Sequence, residues 1–217
     1  MAVTDEPAHA GPVIEAARAA LAGRLVIFPT DTVYGLGTRP DDPSATARVF
    51  EAKRRTRDLE LPVLVSTVEA AREIAGFDDR AERLAREFWP GALTLVLSRA
   101  DRSEGWDLGG DVSTIGVRVP AHPLARAVVS AAGPLAVTSA NVSGEDPITT
   151  CGGLRAAFAD VVAVMLCEQE PLEGSASTVV DLAHGEARLL RRGDLGVEEI
   201  RRSLPEGEAL LDSRPSP

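Results

Sequence analysis

Lysine is almost missing from this chain: Lys53 is the only one among 23 basic residues. Tyrosine, asparagine and glutamine also occur once each, as Tyr34, Asn141 and Gln169, and aromatic residues make up only 4%. A core so poor in rings must be built from Val, Leu, Ile and Ala, which the 44% hydrophobic content of the 217 residues allows. No apolar run approaches the ~20 residues of a membrane span. The N-terminus, MAVTDEPAHAG, is acidic where a signal peptide would be basic and then apolar. These absences predict a cytoplasmic protein with no membrane partner. The two cysteines, Cys151 and Cys167, form no CxxC pair and no disulfide framework, so ordinary thiols are expected. His9, His122 and His184 lack metal-ligand spacing, and no metal held by the protein is expected. A net charge of −10 argues against a broad basic face for nucleic acid.

What is present is an alternation of helix-like and strand-like segments. Pro12 and VIEAARAALAG read as an amphipathic helix ended by Gly23, and RLVIF as a buried strand. DDPSATARVFEAK is a second helix, with Asp42 as its cap and Pro43 in its first turn. LPVLVS, ALTLVLS, TIGVRVP, PLAVTSA, VVAVML, STVVDL and ARLLR read as strands. VEAAREIAG, RAERLAREF, HPLARAVVSAAG, a stretch near 153–159 and VEEIRRSL read as helices, His122 being a structural residue at a helix start. The pattern predicts one α/β domain over 12–204, with flexible ends at 1–11 and 205–217. The last strands have no helix between them, so the sheet should be mixed.

The common nucleotide and hydrolase signatures fail. GLGTRP has Pro40 where a dinucleotide fingerprint needs its third glycine, and GK[ST] and GxSxG are absent. The rare residues are more informative. Lys53 lies in KRRTR, Tyr34 in PTDTVYGLG and Asn141 in TSANVSG, segments that join strand or helix ends to turns, where α/β proteins hold ligands. A lysine kept among arginines suggests a place where a compact ammonium cannot be exchanged for a planar fork. The plain alternative is a solvated helix end for KRRTR and local turn bonds for the others. Gln169, in the ordinary loop CEQEPLEG, shows that rarity alone is not function.

PTDTVYGLG, AKRR, WPGALTLVL, GVRVPAHP, TSANVSG, STVVD and LLRRG follow one another in the order of the YrdC-like family, which the chain resembles from about Ala22 to Leu204. The resemblance implies a twisted mixed sheet flanked by helices around a cationic central hollow, in the short form of the family. It implies an L-threonylcarbamoyladenylate synthase, a nucleotidyltransferase that makes threonylcarbamoyl-AMP and pyrophosphate from L-threonine, bicarbonate and ATP. Magnesium would be carried on ATP. Downstream proteins would transfer the threonylcarbamoyl group to tRNA, with weak tRNA binding as a further expectation. By the same resemblance, Lys53 and Arg55 are catalytic and face the carbamate and the phosphates. Thr32, Tyr34, Arg118 and Ser177 hold threonine, and Thr114, Ser139, Asn141 and Arg191 join Lys53 and Arg55 around ATP. Lys53→Arg is then expected to abolish most activity while barely changing stability. One departure stands out: Thr56 and Leu59-Glu60 replace prolines and a polar residue usual in the family, so residues 56–60 receive no ligand role. The rival readings are an RNA- or tRNA-binding or ribosome-associated module, and a related adenylate-forming carbamoyl enzyme with another acceptor.

Overall fold

A computed structural model describes residues 10–212. In chain order the elements are α1 (Ala10–Leu21), β1 (Leu25–Phe28), β2 (Gly35–Thr38), α2 (Pro43–Lys53), β3 (Val63–Leu64), α3 (Val68–Arg72), α4 (Asp79–Phe88) and β4 (Leu93–Ser98). After a short 3-10 turn come β5 (Thr114–Arg118), α5 (Pro123–Ala132), β6 (Leu135–Ser139), α6 (Cys151–Phe158), β7 (Val162–Met165), β8 (Thr178–Asp181), β9 (Arg188–Arg191), α7 (Val197–Ser203) and β10 (Leu211–Asp212). Capping follows the sequence. Asp42 accepts from Ser44 N and Ala45 N at the start of α2, and the His122 ring accepts from Leu124 N at the start of α5.

Among the described residues, ten strands form one twisted mixed sheet in the order β10-β9-β8-β4-β5-β3-β6-β2-β1-β7. β4 pairs in parallel with β8 and antiparallel with β5, and β8 and β9 pair antiparallel, as the missing helix between them required. Because strand residues alternate between faces, the register sorts the side chains into two sets. Leu25, Ile27, Val63, Val65, Leu93, Leu95, Ile115, Val117, Ala136 and Val180 enter the larger core, which also holds buried residues of α2, α3, α4, α6 and α7. Val26, Phe28, Leu64, Leu135 and Val137 point the other way and meet α1 and α5 in a smaller core. Those two helices cover only part of that second face. Thr94, Val96, Gly116, Arg118, Val179 and Arg191 line an open hollow beside them.

Three expectations change. Gly35–Thr38 is a buried strand paired with β1 and β6, although GLGT has neither bulk nor alternation. At Gly35 and Gly37 a Cβ would collide with Val137, so the glycines are what let β2 fit against β6. The tail expected from Pro205 is partly structured: Leu210 is buried and Leu211–Asp212 pairs with β9, whose edge supplies the backbone partners. At the other end, Ala10 and Gly11 already belong to α1, and the remainder of the two expected flexible ends, 1–9 and 213–217, lies outside the described residues. Finally, Cys151 and Cys167 are joined as a disulfide, with their Cα atoms 5.6 Å apart. They are sixteen positions apart in sequence, and only the folding of α6 against the segment after β7 brings them together. Among the described residues, no helix is long and apolar enough to cross a membrane.

Candidate active site

The hollow has a volume of about 300 Å³, and its charged lining is Arg55, Arg118, Arg191 and Glu60. Each arginine arrives by a different local device. α2 ends at Lys53, and Arg54 takes the left-handed conformation (φ 51°) as its C-cap. The Arg54 and Arg55 amides bond back to Glu51 O and Phe50 O, so the chain reverses and Arg55 turns into the hollow. Arg118 comes from β5, on the same face as Gly116. Arg191 comes from the end of β9.

Two polar networks fix the wall. Arg118 Nε donates to Gly91 O (2.9 Å), Nη1 donates to Thr32 Oγ1 (2.8 Å), and Nη2 forms an ion pair with Asp31 Oδ1 at 2.8 Å. Thr32 Oγ1 lies 2.9 Å from Thr30 Oγ1, which extends the network into the PTDT turn. In the second network, Arg191 donates to Ser177 O and Ser177 Oγ, both at 3.0 Å, and Ser177 Oγ lies 2.8 Å from Thr94 Oγ1. Burial lowers the pKa of all three guanidiniums, and Arg191 is lowered further by Arg118 and Arg55. An anion placed among them would relieve that mutual repulsion.

Tyr34 is among the largest fully buried side chains, at 1% exposure, and lines the hollow. Its hydroxyl accepts from Glu168 N at 3.0 Å, which ties the 166–177 segment to the PTDTVY turn. The same segment presses Gly174 against the Thr32 carbonyl, where a Cβ would overlap the oxygen, so only glycine lets the two backbones approach. The single tyrosine is therefore a wall of the cavity whose polar tip fastens a loop.

Thr32, Tyr34, Arg55, Arg118, Ser139, Ser177 and Arg191, all singled out in the sequence, line one cavity. Lys53, Asn141 and Thr114 are buried but stand outside the lining. Lys53 is 1% exposed, and its Nζ donates to Ser139 O, to Asn141 O (2.7 Å) and to Asn141 Oδ1 (3.1 Å). Asn141 Nδ2 donates in turn to Val142 O and Glu145 O. The lone lysine and the lone asparagine thus form one knot that shapes the loop carrying Ser139. Burial and the neighbouring Arg55 push the Lys53 pKa down to about 8. Thr114 Oγ1 donates to Asp111 O at 3.4 Å.

Sequence reasoning passed over Thr30, Thr94 and Glu60. Thr94 was detectable as the polar residue inside LTLVL, in phase with Val96 on the open face. Glu60 was visible only as a departure. Burial raises its pKa to about 7, against a smaller opposing effect from the Gly116 amide. A carboxyl whose folded pKa exceeds its unfolded value penalises the fold once it ionises. The penalty is absent below about 4.5 and grows as pH rises to about 7. Glu60→Gln removes it, so the variant should gain in Tm over the parent at pH 8, with the gain fading by pH 4.5. Allowing for partial exposure, the pH-dependent part is on the order of 1–3 kcal/mol. Thermal unfolding of both proteins across that range checks it.

The Sua5/YciO/YrdC family model, whose description reads "Telomere recombination", matches residues 18–193. A Mycobacterium tuberculosis relative is 41% identical over 191 residues, covering 87% of each chain. The threonylcarbamoyl-AMP synthase of Pyrococcus abyssi is 38% identical over 186 residues, covering 85% of this chain and 54% of its own. The crystal structure of P. abyssi Sua5 complexed with L-threonine superposes with a TM-score of 0.82 at 35% identity, over 92% of this chain and 58% of that one. This chain therefore spans little more than half of the P. abyssi protein, but most of the mycobacterial one. On the family match and on these relatives, the chain belongs to the Sua5/YciO/YrdC family.

Proposed function

We propose that this protein is an L-threonylcarbamoyladenylate synthase, and that the hollow binds L-threonine, bicarbonate and ATP. The observation that carries the reading is the convergence of Arg55, Arg118 and Arg191 with the hydroxyls of Thr32, Ser139 and Ser177 on one open sheet face. Its support from relatives is the P. abyssi synthase and the threonine complex of P. abyssi Sua5. The threonine amine attacks the bicarbonate carbon, and water leaves to give a carbamate. A carbamate oxygen then attacks the α-phosphorus, the bond to the β-phosphate oxygen breaks, and pyrophosphate leaves. Every reactant except the amine is anionic, so what the site must supply is fixed positive charge and orientation rather than a protein nucleophile.

Arg118 is assigned the threonine carboxylate, since its fork is already aimed by Gly91, Thr32 and Asp31. Thr32, Ser177 and the Tyr34 ring bound the amino-acid side. Arg55, Arg191 and Ser139 are assigned the phosphates, Thr114 a more distant nucleotide contact, and Lys53 with Asn141 the shape and charge of the loop behind Ser139. Magnesium is assigned to the triphosphate. Its oxygens and water satisfy a hard octahedral cation, and the lining offers only neutral hydroxyls and one carboxylate beside them. Residues 12–204, extended to Asp212 by β10, form the catalytic unit. We place the protein in the cytoplasm, upstream of proteins that transfer the threonylcarbamoyl group to tRNA, with weak tRNA binding of its own.

The test is release of pyrophosphate from ATP with bicarbonate, with and without L-threonine and against L-serine. Threonine-dependent release is expected. Release indifferent to the amino acid would contradict the assignment.

A further inference from the structure

Glu60 is the one charged side chain in the hollow that the proposed reaction leaves unused. Its Oε1 accepts from Gly116 N at 3.3 Å, a long bond, and among the described residues no cationic group lies within 4 Å of its carboxylate. A carboxylate largely withdrawn from water with one weak donor is costly to hold unless a ligand completes its hydrogen bonds. Its place is fixed on both sides. Gly110 (φ 62°) is pressed against its Cβ, and Arg55 Nη2 donates to its backbone carbonyl at 3.0 Å.

Position identifies what the carboxylate could take. Gly116 and Arg118 lie two residues apart on the same face of β5, a step of ~6.8 Å. The Arg118 guanidinium is directed to Gly91, Thr32 and Asp31, so the amino-acid end is away from Glu60. Arg55, assigned to phosphate, holds the Glu60 backbone, while the cation whose charge acts on the carboxylate is Arg99, which stands outside the lining of the hollow. A carboxylate repels phosphate and accepts from donors. In a nucleotide, the first donors beyond the α-phosphate are the two vicinal ribose hydroxyls, which match the two oxygens of a carboxylate, a pairing used elsewhere for ribose. The adenine amino group lies farther on by the length of the sugar.

We propose that Glu60 accepts the ribose hydroxyls of the bound nucleotide and so selects ribonucleotides over deoxyribonucleotides. The inference rests on the nucleotide site proposed above. It is tested by equilibrium binding, in magnesium and without threonine, of ATP, 2′-deoxyATP, 3′-deoxyATP and ITP to the full chain and to Glu60→Ala and Glu60→Gln. The parent should prefer ATP to either deoxy analogue by roughly tenfold to a hundredfold, and should bind ITP about as well as ATP. Glu60→Ala should lose most of that preference by weakening ATP alone. Glu60→Gln, which keeps one acceptor and the shape, should fall between.

An alanine variant that still discriminates would overturn the assignment, as would a parent that rejects ITP but accepts the deoxy analogues. Equal weakening of ATP and both deoxy analogues would mark a metal ligand instead, and would overturn it too. ATP bound with ribose selection but without threonine-dependent turnover would sink the reaction and leave this contact standing. Failure of ATP to bind at all would sink both.

Discussion

Lys53→Arg should lower stability by about 2–4 kcal/mol and cut turnover roughly a hundredfold. The sequence alone predicts only the second effect, because it treats lysine as a charge facing the ligand. In the structure the ammonium is sealed at 1% exposure among Ser139 O, Asn141 O and Asn141 Oδ1. A guanidinium is wider and planar and cannot meet three acceptors clustered around one nitrogen. Substitution must therefore overfill the socket or leave buried carbonyls unpaired, and the 139–145 loop moves with it. For a chain of this size the loss corresponds to a Tm lower by roughly 5–15 °C. Lys53→Met, which fits the stem and removes the donors, should lose comparable stability. Thermal unfolding and turnover measured together decide the matter. Lost activity with an unchanged Tm would restore the simpler picture of a ligand-facing charge.

Arg118→Lys should raise the KM for threonine by at least about a hundredfold while leaving ATP binding in the absence of threonine nearly unchanged. The substitution keeps a positive charge, so a purely electrostatic role would survive it. The fork, however, spans Gly91 O, Thr32 Oγ1 and Asp31 from one rigid plane. A single ammonium cannot hold the PTDT turn and present a second edge to a carboxylate at the same time. Asp31, which also accepts from Ala121 N, would keep only part of its neutralisation, so some loss of stability should accompany the kinetic effect. Steady-state kinetics with threonine varied, alongside nucleotide titration, separate the two ends of the hollow. An equal loss for ATP and threonine would place Arg118 on the nucleotide instead.

Alternation made most of the fold legible. LTLVL, TIGVR and TVVD carry core residues on one phase and hollow-facing residues on the other, and that period is written in the chain. Asp42, Pro43 and His122 marked helix starts because capping is a local matter. β2 escaped because its glycines are demanded by a neighbour, Val137, a hundred residues away, and the disulfide escaped for the same kind of reason. Around the hollow, rarity pointed to segments that the fold brings together, but not to the contacts that hold them. Tyr34 fastens a loop through Glu168 N, and Lys53 with Asn141 braces another, both being contacts across the fold that no spacing encodes. Glu60 showed itself only as a break in a pattern, and its meaning depends on a cavity that exists only after folding.

The most direct measurement follows the carbon of bicarbonate. With labelled bicarbonate, ATP and magnesium, the protein should build an AMP-linked product that carries the label only when L-threonine is present. Serine in its place should yield far less. Pyrophosphate release without a labelled, threonine-containing adenylate, or a labelled adenylate formed equally well without threonine, would contradict the account.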